Sequence, residues 1–436
     1  MKRLSGRFGV RRLIAVAGAG VLLSAGLGVA GASAADRASS PGTPATKVPM
    51  LPCALKYVSG SLYVGSGNAV YKVSQQTGNA TRIAPQLPLY SALDAVCGVA
   101  VDGAGNLLVA DGPQVFVVAA KTGTFYGKKM VKGRVYLIAI GFANAGTGAV
   151  DVQLDPSGNV VFDVAGEEAS HTDNEQDSQI FVLAERTGTF YGKKMVKGKL
   201  SVIAGVLNGG PSPTPCDGPD AAARGAGTPS TATPAAATKA IQANLGYQIG
   251  TFRFDAAGNI ILADSGGDSG SPCGADTYDV PARVAVIPAR TGSYYGQQMT
   301  VGDIYSIAGL GRKAGNGVPA VDSKLPTVLA VALDHAGNIL VATGDNGGAY
   351  PAVVVIAART GSFYGQKMTK GDLYTLFRAL PGTGGATSLA VDNAGNVLIG
   401  RDYVVQMLAE KTGGYYGVKA RAGHVYTIAG TGSFPG

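Results

Sequence analysis

Two short cassettes alternate along this chain, and their repetition constrains the fold more than any other feature. One has the form TGTFYGKKMVKG, and its copies begin at Thr122, Thr187, Thr291, Thr360 and Thr412. The other precedes it each time with the form VAVDGAGNLLVAD, and its copies begin at Val99, Val152, Phe252, Val331 and Leu389. Two cassettes repeated in strict order indicate one supersecondary unit copied in tandem.

Each unit predicts four short strands, a to d. In the unit at Val99, apolar runs at 99–101, 107–110, 115–119 and 135–139 are separated by turn residues such as those at 102–106. Asp bonds the backbone ahead of it, and Gly and Asn tolerate positive φ, so these residues favour turns. Four such strands predict one antiparallel propeller blade. Five units and a degenerate one from Leu55 predict an all-β, six-bladed β-propeller of four-stranded blades over residues 51–436.

The pattern VAVDxxGNLLVAD, followed by an apolar strand and IYxIAG, resembles the NHL repeat over nearly all of the chain beyond its N-terminal segment. The TGxFYGxxMxxG insertion resembles a form found in secreted actinobacterial NHL proteins. This resemblance implies the same six-bladed fold. Six-bladed relatives include metal-dependent lyases and lactonases, whose channel cation needs His or carboxylate ligands on the innermost strands. In the five later units we find Arg253 as the only charge on strand a, which argues against that chemistry.

The N-terminus predicts export. A basic segment containing Arg11-Arg12 precedes an apolar run at 13–30 and the small-residue site Ala32-Ser33-Ala34, so residues 1–34 are predicted to be a cleaved signal peptide. A retained membrane anchor is the alternative, and both the Sec and the twin-arginine routes stay open. Residues 35–50 are rich in Ser, Pro, Thr and Ala and are predicted to be a disordered linker. We therefore expect a monomer, secreted or associated with the cell envelope, without a membrane span after cleavage.

The charge of the chain does not predict binding to nucleic acid. The formal net charge is +8, but residues 1–34 contain five basic and no acidic residues, and the remainder carries only +3. A nucleic-acid-binding protein needs a clustered basic face, which the remainder lacks.

Four cysteines in an exported chain predict two disulfides. They are Cys53, Cys97, Cys216 and Cys273, and three connectivities can join them. Proximity in the chain favours Cys53–Cys97 and Cys216–Cys273. The spacings do not resemble a zinc site.

The predicted topology separates two faces of the propeller. The a–b turns and c–d segments lie on one face, which we call the uniform face because its segments are nearly identical. The b–c loops and the linkers between blades lie on the other, the irregular face; they span 165–178, 265–282 and 344–352, and 206–247, 310–326 and 378–386. Repeat proteins vary most on their binding face. We therefore predict a non-catalytic protein that binds an extracellular protein or a cell-wall glycan there, with a metal-dependent lyase-like or lactonase-like enzyme as the alternative.

Carboxylates at the end of strand b are the main candidate ligand-binding residues. Asp111, Asp163, Asp264 and Asp402 hold this place in four units. They are predicted to ring the channel mouth and bind a cation or an amine, unless each one caps its own turn. The acidic stretch at 167–177, which includes His171, offers calcium an alternative site but lacks the turn Gly of an EF-hand loop. We predict no cofactor and no metal site.

Other motifs are weaker. The stretch GDSGSP at 267–272 resembles a serine-protease nucleophile motif but lacks the accompanying His, and the three His residues are scattered, so no catalytic residue is predicted. The paired aromatics of the second cassette, such as Phe125-Tyr126, and the neighbouring lysines form either a glycan-binding ring or the packing of each hairpin onto its sheet. The first Asp of each a–b turn is predicted to be structural.

Overall fold

The computed structural model describes residues 42–83, 96–141, 151–165, 178–205, 238–243, 245, 249–269, 278–280, 282–344, 351–378 and 385–433. The predicted signal peptide at 1–34, most of the irregular-face loops, and Cys216 and Cys273 lie outside these residues. Within the described part of the chain, no helix has the length and apolar character needed to cross a membrane.

Blades 1 and 2 come first. Blade 1 contains β1 (Thr43–Pro44), the 3₁₀ turn η1 (Ala45–Lys47), β2 (Pro52–Val58), β3 (Ser61–Ser66), β4 (Ala69–Ser74) and β5 (Asn79–Arg82). Blade 2 contains β6 (Gly98–Val101), β7 (Leu107–Asp111), β8 (Gln114–Val118), the small hairpin β9 (Gly123–Phe125) and β10 (Lys128–Met130), and β11 (Val135–Ile140). In each blade the strands pair antiparallel in chain order, apart from β1 and the hairpin.

Blades 3 and 4 repeat this arrangement. Blade 3 contains β12 (Val152–Leu154), β13 (Val160–Val164), β14 (Gln179–Leu183), the hairpin β15 (Gly188–Phe190) and β16 (Lys193–Met195), and β17 (Leu200–Ala204). Blade 4 contains β18 (Thr238–Lys239), η2 (Ala240–Gln242), β19 (Ile249–Phe254), β20 (Ile260–Asp264), a loop hairpin of β21 (Gly267–Ser269) and β22 (Tyr278–Val280), β23 (Arg283–Ile287), the hairpin β24 (Gly292–Tyr294) and β25 (Gln297–Met299), and β26 (Asp303–Ala308).

Blades 5 and 6 complete the ring. Blade 5 contains β27 (Val318–Pro319), η3 (Ala320–Asp322), β28 (Val328–Leu333), β29 (Ile339–Thr343), β30 (Ala352–Ile356), the hairpin β31 (Gly361–Phe363) and β32 (Gln366–Met368), and β33 (Asp372–Arg378). Blade 6 contains β34 (Ala386–Val391), β35 (Val397–Arg401), β36 (Val404–Leu408), the hairpin β37 (Gly413–Tyr415) and β38 (Val418–Ala420), and β39 (Val425–Ala429). The predicted six-bladed, all-β propeller is confirmed.

Blades 1, 4 and 5 carry a fifth, outer strand that the sequence analysis did not foresee. The two-residue strands β1, β18 and β27 pair with the outermost strands β5, β26 and β33. The 3₁₀ turn that follows each of them reaches back to the preceding blade; for example, Gly205 N donates to Ala240 O at 2.9 Å. Each of these segments is therefore a linker that joins two adjacent blades.

The segment at 43–47 performs the same task where the ring closes. Gly430 N of blade 6 donates to Ala45 O at 3.0 Å, and Ala45 N donates to Gly78 O of blade 1 at 2.9 Å. Ala45 and Met50 are completely buried. Residues 43–47, which belong to the segment 35–50 that was predicted to be a disordered linker, therefore form a short strand and a 3₁₀ turn.

The core consists of six apolar clusters, one between each pair of neighbouring blades. Each cluster draws alternate residues from the facing sheets, because successive side chains of a strand point to opposite sides. The cluster between blades 1 and 2, which includes Ala54, Val70 and Val109, has the fewest buried residues.

Candidate functional site

Equivalent positions on the six innermost strands form one layer of the central channel. Register with strand b identifies them: Lys56 pairs with Tyr63 in blade 1, and the equivalent pairs follow in blades 2 to 6. From blade 1 to blade 6 the layer is Lys56, Ala100, Gln153, Arg253, Ala332 and Ala390. Three of the six residues are alanine, so the three long polar side chains have room to extend across the channel.

A chain of hydrogen bonds crosses the channel at this layer. Lys56 Nζ donates to Gln153 Oε1 at 2.7 Å, and Gln153 Nε2 donates to Asp151 Oδ1 at 2.9 Å. Arg253 Nη1 forms an ion pair with Asp151 Oδ2, and Arg253 Nη2 donates to Leu389 O at 3.3 Å. The network links strands of blades 1, 3, 4 and 6. We call the side chains of Lys56, Gln153, Asp151 and Arg253 the channel cluster.

Asp151 is the anchor of the channel cluster. Besides Gln153 and Arg253, its carboxylate accepts hydrogen bonds from Val152 N at 2.9 Å and Phe252 N at 3.2 Å. Its own backbone N–H donates to Asp163 Oδ1 at 2.7 Å. Both carboxylate oxygens therefore have two donors each, and Asp151 has no direct bond with Lys56.

The amine of Lys56 lies in an unusual electrostatic setting. Burial lowers its pKa to about 8; the nearby positive charge of Arg253 acts in the same direction, and Asp151 opposes them only partly. Burial disfavours the charged form of an amine, and a neighbouring cation adds to that effect. The Lys56 residue as a whole nevertheless keeps partial solvent exposure.

Of the four residues in this cluster, only Arg253 was noted from the sequence. Asp151 precedes β12, and Lys56 lies on the degenerate first unit, so neither was counted among the charges of the later innermost strands. A usable signal existed, because Lys56 and Arg253 interrupt a strand position that is alanine in three other blades. Recognising the signal required the register of blade 1, whose a–b turn is shorter than the others.

The four strand-b carboxylates do not occupy equivalent positions. Asp111 and Asp264 are the last residues of β7 and β20, Asp163 is one residue earlier in β13, and Asp402 follows β35 in the turn. Side chains alternate along a strand, so Asp163 points to the opposite side of its sheet from Asp111 and Asp264. These three are buried, whereas 39% of the Asp402 side chain is exposed.

Individual contacts show what some of these carboxylates do. Asp264 Oδ2 forms an ion pair with Arg283 Nε at 2.8 Å, Asp402 pairs with the adjacent Arg401 at 3.2 Å, and Asp163 supports Asp151. Among the described residues, no three His, Cys, Asp or Glu side chains gather in a metal-binding arrangement. The acidic stretch at 167–177 lies outside the described residues.

One predicted disulfide is confirmed. Cys53 of β2 bonds with Cys97, just before β6, with their Cα atoms 4.6 Å apart. The bond ties the innermost strands of blades 1 and 2 to each other. The second predicted bond, Cys216–Cys273, stays a prediction because both residues lie outside the described part of the chain.

On the uniform face, a repeated hydrogen-bond arrangement joins the two cassettes of each blade, and we call it the clamp. In blade 2, Asp102 Oδ1 accepts from Ala104 N and Asn106 N, and Asp102 Oδ2 accepts from Asn106 Nδ2 at 2.8 Å and Tyr126 OH at 2.9 Å. Asn106 Oδ1 then accepts from Ala120 N at 2.8 Å. The same bonds recur in blades 3, 4 and 5, where the tyrosines are Tyr191, Tyr295 and Tyr364.

The clamp explains why the aromatic pairs are uniform. Each clamp tyrosine adopts a positive φ, 51° at Tyr126, which brings its hydroxyl to the turn carboxylate. Burial and the adjacent Asp102 raise the pKa of Tyr126 above its usual value. The first aromatic, Phe125, lies against Gly123, where a Cβ would approach its ring to 3.0 Å. Lys128 Nζ donates to Leu137 O at 2.6 Å, so this lysine also holds the hairpin to its sheet.

A shallow cleft of about 380 Å³ opens on the uniform face between blades 2 and 3. Its polar walls include Asp102, Tyr126 and Asp155, which are already bonded within clamps. The channel cluster is therefore the more distinctive polar feature of the molecule.

No family model and no curated protein match this chain. Among solved structures, it is similar to the calcium-binding protein regucalcin from Agrobacterium tumefaciens, with 14% identity, 84% of each chain covered and a TM-score of 0.43. It is also similar to a gluconolactonase from Xanthomonas campestris, with 13% identity over 84% of this chain and 96% of that chain and a TM-score of 0.40. For virginiamycin B lyase from Staphylococcus aureus, the identity is 8%, the coverage 83% and 84%, and the TM-score 0.41. At these identities and scores, the similarities carry no argument about the site of this chain.

Proposed function

We propose that this chain acts on a small anionic molecule that it binds in the central channel through Lys56 and Arg253. The channel cluster carries the proposal. It contains the cationic side chains of Lys56 and Arg253, and its carboxylate, Asp151, already accepts four hydrogen bonds. A second carboxylate, Asp163, accepts from the backbone N–H of Asp151. Cationic side chains between low-dielectric walls attract anions, because such walls focus the field.

The same cluster argues against a cation at this layer, as a metal-dependent lyase or lactonase would require. Calcium takes 6–8 oxygen ligands and zinc takes His, Cys or carboxylate ligands. The layer offers one saturated carboxylate beside Lys56 and Arg253. The described residues therefore do not fit a channel metal, and any chemistry proposed for this site has to use the amine and the guanidinium.

Membership of the NHL family and export from the cell also remain our proposals. They are supported by the cassettes, by the closed six-bladed ring and by the Cys53–Cys97 bond, which is typical of an oxidising compartment. Binding of a protein or glycan at the irregular face stays a prediction, since most of those loops lie outside the described residues.

The test is calorimetric titration of the purified protein with acetate, pyruvate and inorganic phosphate, with a neutral sugar as the comparison ligand. We expect binding of at least one anion, a loss of roughly tenfold or more in affinity in Lys56→Met, and no change in Lys313→Met, whose exposed ammonium pairs with Asp322 on the surface. Equal affinity in both variants, or no anion binding, would contradict the proposal. Stoichiometric metal in the protein before chelation would favour the metal-dependent alternative.

A further inference from the structure

We propose that Lys56 is a nucleophile that forms an imine with an aldehyde or ketone whose carboxylate or phosphate group is held by Arg253. This inference rests on the proposed function, because it assigns a reaction class to the same channel site. Three features of the channel cluster support it: the neutral partner of the amine, the fixed orientation of that partner, and the unengaged donors of Arg253.

The hydrogen-bond partner of the Lys56 amine is uncharged. Lys56 Nζ donates to the amide oxygen of Gln153, which is neutral, and not to a carboxylate. Asp151, the nearby carboxylate, is committed to Arg253, Gln153 and two backbone N–H groups. A lysine that serves only structure is usually found paired when it is buried, whereas this one lacks a direct counter-ion.

The orientation of the Gln153 amide is fixed at both of its ends. Gln153 Nε2 donates to Asp151 Oδ1 at 2.9 Å, so its Oε1 must face Lys56. The amine is thereby held at a defined place by a neutral acceptor. Gln153 and Asp151 are positioning residues in this arrangement. The lowered pKa of Lys56 supports it, because a larger fraction of the amine is neutral near pH 8 than for an exposed lysine.

Arg253 is the residue that we expect to hold the anionic group. Arg253 Nη1 forms an ion pair with Asp151 and donates to the backbone oxygen of Phe252. One Nη2 proton is donated to Leu389 O. In the contacts between described residues, its Nε–H and a second Nη2–H are not engaged. The guanidinium can therefore bind a carboxylate or phosphate beside the amine, and anion binding by Arg is favoured by its planar donor geometry.

The reaction needs no oxidant and no further reactant. The neutral Lys56 amine attacks the carbonyl carbon, a C–N bond forms, and the C=O π electrons move to oxygen, which takes up the proton released from nitrogen. The resulting carbinolamine loses its hydroxyl group and the remaining N–H proton as water and becomes the imine. The imine also activates the carbon next to the C=N carbon, which can then lose a proton or undergo bond cleavage.

Borohydride trapping tests the inference. The full-length protein is incubated with pyruvate or glyoxylate near pH 8, reduced with cyanoborohydride, digested and analysed by mass spectrometry. We expect one dominant adduct on the peptide containing Lys56, with the mass of the compound less one oxygen atom. Acetate, which has a carboxylate but no aldehyde or ketone group, should protect Lys56 by competition.

Two variants and the anion titration of the original protein separate the inference from the proposed function. Lys56→Arg has no nucleophilic amine, so it should lose the adduct. Lys313→Met should change neither anion binding nor the adduct. Anion binding without a Lys56 adduct in the original protein would overturn the imine and leave the proposed function standing, whereas absence of anion binding would remove both. Adducts spread evenly over surface lysines would also overturn it.

Discussion

Blade 1 and the five blades that follow it solve the same structural problem differently. Blades 2 to 5 lock the a–b turn to the c–d hairpin through the clamp of Asp, Asn and Tyr. Blade 1 lacks both cassettes and turns at Ser59-Gly60, with Gly60 at φ 79°. Its Gln75 instead donates to Asp392 Oδ2 of blade 6 at 2.8 Å and accepts from Tyr57 OH. Its polar groups thus serve the neighbouring blade rather than its own hairpin.

The difference shows how a tandem repeat closes into a ring. Internal blades need only a standard interface with the next copy, whereas the first blade must also join the last. Here the closure uses the segment 43–47, the Gln75 contact, and a well-filled apolar cluster between blades 6 and 1. The least apolar packing lies on the other side of blade 1, against blade 2, and the Cys53–Cys97 bond is found there.

The disulfide gives the largest expected effect. Replacing both Cys53 and Cys97 with Ala should lower the free energy of unfolding by about 4 kcal/mol, because the bond closes a segment with a sequence separation of 44. Urea unfolding at neutral pH, followed by tyrosine fluorescence, measures it. Dithiothreitol should destabilise the original protein more than the double variant. A loss below about 1 kcal/mol would show that the apolar contacts between blades 1 and 2 suffice.

The clamp should be the next strongest element. Asp334→Ala in blade 5 removes the acceptor of four hydrogen bonds, from Ala336 N, Asn338 N, Asn338 Nδ2 and Tyr364 OH. We expect a loss of about 2–4 kcal/mol, since several buried donors are left unpaired. Asp322→Ala removes a surface ion pair and should cost less than about 1 kcal/mol. If thermal unfolding shows the same loss of stability in both variants, the clamp does not stabilise the blade as proposed.

Lys56 provides a test that depends on pH. Its folded pKa, about 8, lies below its ordinary value of 10.5, so the unfolded chain binds more protons between these values and stability rises with pH there. Lys56→Met should therefore raise the free energy of unfolding by about 1–3 kcal/mol at pH 7. This gain should shrink as pH rises from about 8 towards 10.5. A gain that is independent of pH would point to better packing instead of the removal of a buried charge.

The smallest effect compares two tyrosines. Tyr364 OH donates to Asp334 Oδ2 at 2.9 Å, whereas Tyr416 of blade 6 is buried near Asp392 without a hydrogen bond of ordinary length. Asp392 Oδ2 accepts from Gln75 of blade 1 instead. Tyr364→Phe should cost about 1 kcal/mol, and Tyr416→Phe should be nearly neutral or slightly stabilising. In a Gln75→Ala background, Asp392 Oδ2 would be free to accept from Tyr416, and Tyr416→Phe should then cost as much as Tyr364→Phe. A double-mutant cycle of Gln75→Ala and Tyr416→Phe measures this coupling.

The blades can be predicted from the sequence alone. Alternating apolar residues, the Asp-to-Asn turns and the repeat order are local signals, and they predicted the six units. The proximity of two cysteines in the chain predicted the Cys53–Cys97 bond. The turn carboxylates, such as Asp102, were also rightly read as structural, because most of their bonds reach only two to four residues ahead.

The residues that meet in the channel could not be predicted in the same way. Lys56 and Gln153 are 97 residues apart, Asp151 and Arg253 are 102 apart, and their contacts depend on the closure of the ring and on the register of each innermost strand. The strand-b carboxylates looked equivalent in sequence, but a shift of one residue turns Asp163 to the other side of its sheet. The outer strands β1, β18 and β27 are two residues long and carry no periodic signal, so they became visible only as partners of β5, β26 and β33. A local pattern encodes the strand and its turn, whereas a site assembled from several blades exists only once all of them are in place.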